Sequence, residues 1–259
     1  MAGFLFHEVV FGPVRSRRLG LSLGINLLPL NRKYCSFNCI YCECGWTPPH
    51  TPGPPDYPSR AEVSGFLEQR LQELVAEDYL PDALTYAGNG EPTLHPEFAA
   101  IVDDTILLRD RYLPGAKVTV LSNASRLGDP GVFEALLKLD NNIQKLDAGA
   151  EKMFGLINNP EENLSFAEVI GGLKRFNGRV IIQSMFLRGT WKGEVIDNTT
   201  AEEVQLWLQK LQEISPALVM IYPIARATPV QNLEKIGLAE LNAIAVKIRH
   251  AGLNVQVYE

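Results

Sequence analysis

The residues Cys35-Ser-Phe-Asn-Cys39-Ile-Tyr-Cys42 constrain this protein more than any other part of its sequence. They place three thiols in one short loop at the spacing C-x3-C-x2-C. Soft thiolates select zinc or iron–sulfur clusters. Three thiolates that hold three irons of a [4Fe–4S] cluster leave the fourth iron open. The spacing therefore predicts a cluster on Cys35, Cys39 and Cys42 with one reactive iron position.

Two other thiol chemistries fit this spacing less well. A structural zinc site usually draws four ligands from two knuckles that lie well apart in the sequence, whereas the only other cysteine, Cys44, lies close to Cys42. Disulfides are typical of small secreted scaffolds. The role of Cys44 stays open between a small apolar residue, a group beside the cluster and a participant in the chemistry.

Length and composition indicate one barrel-sized domain. A chain of 259 residues with 46% hydrophobic residues can bury a full core, and we predict a single domain over residues 1–259. No apolar run has the length that a bilayer requires, and the first residues lack the features of a signal peptide. Reduced thiols and an oxygen-sensitive cluster favour the cytoplasm.

The charge is acidic overall but uneven along the chain. A formal net charge of −6 argues against nucleic-acid binding that is driven by overall charge. A group of basic residues nevertheless precedes the cysteines, namely Arg15, Arg17, Arg18, Arg32 and Lys33. These residues could meet a phosphate or carboxylate group, or they could be paired with Asp and Glu elsewhere, and the sequence favours neither.

Short runs rich in Val and Ile alternate with helical patterns over most of the chain. We predict strands over residues 21–28, 82–87, 117–121, 143–147, 180–185, 217–222 and 254–257, and helices over 60–78, 96–112, 130–139, 165–176, 200–214 and 238–251. This alternation predicts an α/β fold with right-handed crossovers, and specifically an open, partial (β/α)6 barrel. The proline-rich segment 46–58 predicts an extended loop, either a lid or a passive surface loop.

Polar residues and glycines follow the predicted strands, where barrels of this kind collect their chemistry. The second strand is followed by Gly88-Asn89-Gly90-Glu91, and the third by Ser122 and Asn123. Each of these stretches could also be a plain turn or cap. The sequence therefore marks candidate sites at these two strand ends and does not by itself assign a ligand.

The later strands end in polar residues as well. Lys145 and Asp147 alternate to the same face of the fourth strand, and two charges at a barrel mouth are costly unless they are paired or bind a ligand. A buried ion pair is the alternative there. Gln183 on the fifth strand and Tyr222 on the sixth are weaker candidates of the same kind. Arg226 lies beyond Tyr222, and His95 follows the glycine-rich turn.

Further motifs make the pattern specific. Tyr41 precedes the last cysteine of the loop, Gly12-Pro-Val-Arg-Ser-Arg-Arg-Leu-Gly20 and Ser22-Leu-Gly-Ile-Asn26 precede the loop, and Gly88-Asn-Gly-Glu-Pro92 follows it. With these motifs the chain resembles the radical S-adenosylmethionine (SAM) superfamily. Within it, the chain looks like the group described as wyosine-synthase-like iron–sulfur oxidoreductases. The resemblance extends over nearly the whole chain.

The resemblance implies two cofactors, a [4Fe–4S] cluster and a SAM molecule that chelates the open iron. It implies that SAM is cleaved reductively to a 5′-deoxyadenosyl radical, which abstracts hydrogen from a substrate. Glu91 and its turn are expected at the amino group of SAM, and Lys145 at its carboxylate. The full set of expected SAM contacts is Tyr41, Gly88, Asn89, Gly90, Glu91, Ser122, Asn123, Lys145, Asp147, Gln183 and Tyr222.

The resemblance also implies an electron donor of the flavodoxin or ferredoxin type. For the substrate we expect a small molecule or a peptide. A tRNA is possible but not favoured, because true wyosine synthases carry a second cysteine set and no cysteine precedes Cys35 here. A non-catalytic iron–sulfur electron carrier is the alternative from another class, although such a carrier has no need of a SAM pocket.

Overall fold

The computed structural model describes residues 3–49, 55–160 and 164–259. In this part of the chain ten strands form one sheet in the order β1-β2-β3-β4-β5-β6-β8-β10, with β7 and β9 paired to β6. The strands are β1 (Val10–Ser16), β2 (Gly20–Ile25), β3 (Ala83–Tyr86), β4 (Lys117–Ser122), β5 (Asn141–Lys145), β6 (Ile181–Trp191), β7 (Glu194–Asp197), β8 (Leu218–Pro223), β9 (Leu233–Lys235) and β10 (Val255–Val257).

Helices cover the outer face of this sheet. They are α1 (Arg60–Ala76), α2 (Phe98–Tyr112), α3 (Pro130–Leu137), α4 (Glu151–Asn158), α5 (Phe166–Lys174), α6 (Ala201–Ile214) and α7 (Leu238–His250), with a short 3-10 helix at Pro92–Leu94. In the described ranges no helix combines the length and the apolar character that a bilayer crossing requires. Residues 50–54 of the predicted loop 46–58 lie outside the described residues, and the rest of that loop forms neither helix nor strand.

The parallel strands β2, β3, β4, β5, β6, β8 and β10 form the body of the sheet. Helices lie between successive parallel strands, as in repeated βα units. The sheet ends at β1 on one side and at β10 on the other. The predicted α/β fold with an open, partial (β/α)6 barrel is therefore confirmed, whereas the single domain over 1–259 stays a prediction.

Alternation along the strands separates the two faces of the sheet. Leu23 and Ile25 of β2 are fully buried in the apolar core that also contains Leu67 of α1. On the opposite face, the hydroxyls of Ser22 and Thr85 form a hydrogen bond of 2.8 Å. The outer face thus packs against helices, and the inner face carries polar groups that can line a barrel.

The sheet is strongly curved, as one contact across it demonstrates. In the turn between β1 and β2, Arg18 donates from Nη1 to Gln183 Oε1 of β6 at 2.7 Å. Three strands separate β2 from β6 in the sheet order, so a flat sheet would place these two strands about 19 Å apart at roughly 4.8 Å per strand. The sheet must therefore curl so that its two edges approach each other.

Three strands and one α-helix were not expected from the sequence. Strand β1 contains Gly12 and Pro13, which indicate a turn, but proline is tolerated in an edge strand and at a bulge, and the register of β1 shifts at these residues. Helix α4 is short, and Ala150 at its N-cap makes no side-chain capping bond. Strands β7 and β9 pair with the second half of β6, in a region where no strand run stands out.

Candidate active site

The cysteine loop, residues 35–45, lies against the carboxyl ends of the parallel strands. Tyr34, just before the loop, donates from its backbone N to Asn89 O after β3 at 2.8 Å. Ile40 N donates to Ile157 O at the end of α4 at 3.0 Å. The last carbonyl groups of a helix have no partner within the helix. The cysteine loop therefore supplies a donor to a terminal carbonyl of α4, and the same hydrogen bond fixes the loop against α4.

Side-chain amides contact two of the predicted cluster ligands. Asn123, which follows β4, donates from Nδ2 to Cys35 Sγ at 3.6 Å. Asn158, the last residue of α4, donates from Nδ2 to Cys39 Sγ at 3.6 Å. Hydrogen bonds to ligand sulfurs orient the thiolates and tune the potential of an iron–sulfur cluster. These two contacts therefore join the cysteine loop to β4 and to α4.

Cys42, Cys44 and Lys33 form a second group in the loop. A hydrogen bond with Cys44 lowers the pKa of the Cys42 thiol to about 6, and the charge of Lys33 acts in the same direction against burial. That same hydrogen bond, together with burial, raises the pKa of Cys44. Cys44 Sγ also donates to Gly88 O at 3.5 Å, so the fourth thiol lies beside the glycine-rich turn.

Lys33 is a buried cation, since only 3% of its surface is exposed. Its Nζ donates to Gly45 O at 2.9 Å. Burial acts to lower the pKa of Lys33, but the neighbouring cysteine thiolates outweigh burial and raise it. A positive charge therefore accompanies the thiols inside the protein.

The donor set fits the predicted [4Fe–4S] cluster. Burial raises the pKa of Cys39 to about 11 and raises that of Cys35 as well, so thiolates at these two positions need a positive partner. Within residues 3–49, 55–160 and 164–259, no three Cys, His, Asp or Glu side chains are grouped as a single metal ion would require. Cluster thiolates instead bind separate irons, and Lys33 would offset part of their negative charge.

The glycine-rich turn after β3 approaches the cysteine loop very closely. Gly90 has a φ of +144°, and a Cβ there would lie 1.8 Å from Tyr34 O. A Cβ on Gly88 would lie 2.3 Å from Asn26 Oδ1. Only glycine fits such positions. The close approach that requires these glycines is therefore with the protein's own chain.

Asn89 is engaged within the protein. Its side chain is fully buried and accepts from Phe6 N at 2.8 Å through Oδ1. Its Nδ2 donates to Phe6 O at 2.8 Å and to Pro29 O at 2.9 Å. The predicted contact of Asn89 with SAM stays a prediction, while its present role is to hold the N-terminal segment against the strand ends.

Glu91 links the ends of β3 and β4. Its Oε1 accepts from Thr93 N at 3.1 Å, and its Oε2 accepts from Asn123 N at 2.6 Å. Burial raises the pKa of Glu91, and hydrogen bonds from Thr93, Asn123 and Ser122 oppose this. Glu91 therefore positions Ser122 and Asn123, two further residues that we expect to contact SAM.

Lys145 and Asp147 face the same side, as the alternation predicts. Lys145 Nζ lies 3.7 Å from Asp147 Oδ2, and the Asp147 side chain is fully buried. Asp147 Oδ2 also accepts from Tyr41 OH and, at 2.7 Å, from Asn158 Nδ2. Burial acts to lower the pKa of Lys145, but the combined effect of Asp147, Tyr222 and Cys39 outweighs burial and raises it. The buried ion pair is thus present, and it is formed by the same two residues that are predicted to contact SAM.

Tyr222 and Gln183 extend this cluster along the inner face. Lys145 Nζ donates to Tyr222 OH at 3.1 Å, and Tyr222 OH lies 3.3 Å from Gln183 Oε1. Met185 N donates to Asp147 Oδ1 at 2.8 Å. The residues predicted on β5, β6 and β8 therefore form one connected hydrogen-bond network next to Tyr41 of the cysteine loop.

The basic residues before the cysteines do not form one patch. Lys33 is buried beside the thiols, and Arg18 lies over the ring of Tyr222, 4.6 Å from its centroid. Arg15 and Arg17 are exposed. Neither of the two alternatives from the sequence therefore describes the group as a whole.

Two weaker candidates lie away from this network. His95 Nε2 bonds to Pro58 O at 2.9 Å, and its Nδ1 accepts from Glu97 N at 3.0 Å, so His95 holds the end of the proline-rich loop. Arg226 pairs with Glu43 at the rim of the cysteine loop. Arg226 also lines a cavity of about 620 Å³ together with Cys42 and Trp46, which is in the size range of small-molecule sites.

Asn158 and the role of Lys33 were not predicted from the sequence. Asn158 touches both Cys39 and Asp147, and its own Oδ1 has no partner among the described atoms. The only signal for it was the Asn158-Asn159-Pro160 stop at the end of an unexpected helix. Lys33 could have been found from its position two residues before Cys35.

Curated proteins with the same family description are similar to this chain over most of its length. No protein-family model matches the chain. It is 32% identical over 216 residues to a UPF0026 protein of Methanocaldococcus jannaschii, covering 80% of this chain and 61% of that protein. It is 31% identical over 227 residues to a UPF0026 protein of Synechocystis, covering 86% of this chain and 77% of that protein. The chain thus spans about three fifths of the archaeal relative's length.

Solved structures share the fold at low identity. A radical SAM methyltransferase from Sphaerobacter thermophilus has a TM-score of 0.67 at 14% identity, covering 91% of this chain and 65% of that one. SuiB of Streptococcus suis, solved with S-adenosylmethionine, has 0.62 at 16%, covering 91% and 50%; its complex with the precursor peptide SuiA has 0.63 at 17%, covering 91% and 48%. Archaeal TYW1 has 0.55 at 11%, covering 89% and 72%. The fold is that of radical SAM enzymes, as the resemblance predicts.

Proposed function

This chain belongs to the UPF0026 protein family, and from its radical SAM fold we propose that it is a radical SAM enzyme. Cys35, Cys39 and Cys42 hold one [4Fe–4S] cluster, and SAM occupies the adjacent strand ends. The enzyme abstracts hydrogen from a small or flexible substrate. This assignment is consistent with the fold, which the chain shares with SAM-dependent radical enzymes.

One observation carries this proposal. Two thiols of the cysteine loop contact the residue that follows β4 and the last residue of α4. Cys35 accepts from Asn123 after β4, and Cys39 accepts from Asn158, which also bonds to Asp147 after β5. A cluster on these thiols would therefore lie beside the residues expected to contact SAM. An electron carrier has no need of such a network.

The chain's own residues hold and orient the cofactors in this proposal. When bound, the cluster and SAM supply a one-electron reductive cleavage that yields a 5′-deoxyadenosyl radical. Lys145 provides a cation for the SAM carboxylate. Tyr41 and Asn158 fix Asp147 through its Oδ2. Asp147 Oδ1 accepts one bond, from Met185 N, and has capacity for a ribose hydroxyl.

The substrate class follows from a protein that shares the fold, and the donor class follows from the family resemblance. SuiB, which shares the fold, was solved with a precursor peptide, and this supports a peptide or small-molecule substrate here. The electron donor is of the flavodoxin or ferredoxin type, which rests on the resemblance alone. We place tRNA behind these substrates because the chain has a net charge of −6.

The proposal is tested by anaerobic reconstitution of the protein with iron and sulfide. We expect about four irons per chain, as one [4Fe–4S] cluster requires. Incubation with SAM and dithionite should then release 5′-deoxyadenosine and methionine in equal amounts, measured by liquid chromatography. A protein that holds the cluster but forms no 5′-deoxyadenosine would instead be an electron carrier.

Matched cysteine variants test the ligand assignment. Cys39→Ser should lose the cluster, because this thiol is one of the three proposed ligands. Cys44→Ser should keep it, although Cys44 lies in the same loop and contacts Gly88. Iron that persists in Cys39→Ser but is lost in Cys44→Ser would contradict the assignment.

A further inference from the structure

The side chain of Arg18 extends over the concave inner face of the sheet and contacts residues there. Its backbone N donates to Ser16 Oγ at 3.3 Å, which fixes the turn between β1 and β2. Its Nη1 donates to Gln183 Oε1 at 2.7 Å, and its guanidinium lies 4.6 Å from the centroid of the Tyr222 ring. The side chain therefore crosses from one edge of the sheet to residues on β6 and β8.

We propose that Arg18, Gln183 and Tyr222 form a subsite for a carboxylate or phosphate group of the substrate. This inference rests on the proposed function and names the class of substrate, a small molecule or chain end with an oxyanion. The three residues come from the β1–β2 turn, β6 and β8.

The local charge balance favours an anion. No Asp or Glu in the described ranges forms an ion pair with Arg18. Within the network that Arg18 joins, Asp147 is the acidic member, and Lys145 is already paired with it. Arg18 and Lys145 together thus leave one positive charge without a counter-charge. A half-buried guanidinium in this position is stabilised when an anion joins it.

The guanidinium group of Arg18 is also preorganised to bind an anion. Arginine has several N–H donors in one plane, and only Nη1 has a side-chain acceptor in the described structure, Gln183 Oε1. The remaining N–H groups can meet two oxygens of a carboxylate or phosphate side by side. The Tyr222 ring fixes the plane of the guanidinium by a cation–π contact, so little freedom is lost on binding.

The subsite lies next to the proposed chemistry. Gln183 Oε1 is 3.3 Å from Tyr222 OH, and Tyr222 OH accepts from Lys145 Nζ. Lys145 in turn lies 5.0 Å from the centroid of the Tyr41 ring in the cysteine loop. A substrate anchored at Arg18 would therefore lie on the inner face of the sheet beside SAM, and Gln183 and Tyr222, which are also expected SAM contacts, would lie between the two ligands.

The test measures anion binding by calorimetry on the reconstituted protein, titrated separately with inorganic phosphate and with malonate. We expect wild-type protein to bind at least one of these probes, and the probe that binds identifies phosphate or carboxylate as the group. Arg18→Gln should weaken that binding roughly tenfold to hundredfold, because it removes a charge-assisted contact. Arg17→Gln, in the same turn but exposed, should bind like wild type.

Arg18 could instead have a purely structural role, in which its hydrogen bond to Gln183 links the β1–β2 turn to β6. Thermal unfolding separates the two roles. A purely structural role predicts a lower Tm for Arg18→Gln with unchanged phosphate and malonate affinity, and this result would overturn the subsite. If Arg18→Gln does not fold, Arg18→Lys serves in its place. That variant keeps the charge but loses the planar fork, and it should show weakened binding. Wild-type affinity in Arg18→Lys would overturn the proposal.

Failure of the subsite is distinguishable from failure of the proposed function. The 5′-deoxyadenosine assay on wild-type protein needs neither anion. Protein that forms 5′-deoxyadenosine but shows no Arg18-dependent anion binding keeps the function and loses the subsite. Protein that binds the anion through Arg18 but forms no 5′-deoxyadenosine keeps the subsite and loses the function.

Discussion

Lys33 places a positive charge beside the four thiols of the cysteine loop. It is buried, it donates to Gly45 O, and the nearby thiolates raise its pKa. A buried ammonium is costly unless negative charge compensates it. The thiolates and the cluster that we propose on them would supply that charge. At the scale of single residues, we therefore expect Lys33 to influence the potential of that cluster.

We expect Lys33→Met to make the midpoint potential of the reconstituted cluster more negative. Reduction adds negative charge, and a nearby cation stabilises the reduced form, so its removal disfavours reduction. The potential is measured by redox titration followed by electron paramagnetic resonance. Lys247→Met, on the exposed face of α7, is the control. Equal potentials in the two variants would show that Lys33 has no electrostatic effect on the cluster.

At the scale of elements, one carboxylate joins α2, β4 and β5. Asp140 Oδ2 accepts from Val118 N at 2.8 Å and from Arg109 Nη1 at 2.7 Å. Burial acts to raise the pKa of Asp140, but these contacts outweigh burial and lower it. The start of β4 and the end of α2 are thus held together just before β5 begins.

We predict that Asp140→Asn lowers the free energy of unfolding by about 1 kcal/mol at pH 7. Because the folded pKa is below the unfolded one, the carboxylate contributes fully above pH of about 5, and its contribution is lost as the pH falls through the folded value. The difference between wild type and variant should therefore shrink in acid. Urea unfolding at several pH values measures it.

Asp110→Asn is the control for this prediction, because Asp110 also pairs with Arg109. Its side chain is 59% exposed, and exposed pairs contribute about 0.5 kcal/mol or less. A loss of stability in Asp110→Asn as large as that in Asp140→Asn would assign the effect to Arg109 rather than to the junction of α2, β4 and β5.

At the scale of the whole molecule, the basic residues before the cysteines do not form one exposed surface for a folded RNA. The net charge is −6. Of the basic group before the cysteines, Lys33 lies beside the thiols and Arg18 reaches the inner face of the sheet, whereas Arg15 and Arg17 are exposed. Affinity for nucleic acid depends on many phosphate contacts.

We therefore expect no tight, saturable binding of bulk tRNA at about 150 mM salt, where weak association is screened. Fluorescence anisotropy with labelled tRNA measures this. A titration at low salt is the control, since any unspecific association should appear there and vanish as salt is added. Saturable binding that survives about 150 mM salt would restore a tRNA substrate.

The sequence by itself was sufficient for the features that depend on neighbouring residues. Strand and helix periodicity predicted the parallel sheet, and Ser165 with Glu168 forms the capping box that its spacing predicts. The spacing of Cys35, Cys39 and Cys42 placed three thiols in one loop. Each of these signals acts over a few residues, so no knowledge of the tertiary structure was needed.

Only the tertiary structure decided which distant residues meet. Tyr41 bonds to Asp147, and Arg18 bonds to Gln183, across 106 and 165 positions of the chain. Asn158 reaches Cys39 because the end of α4 lies against the cysteine loop. Such contacts depend on the order of the strands and on the curvature of the sheet, which add up over many elements and leave no local pattern in the sequence.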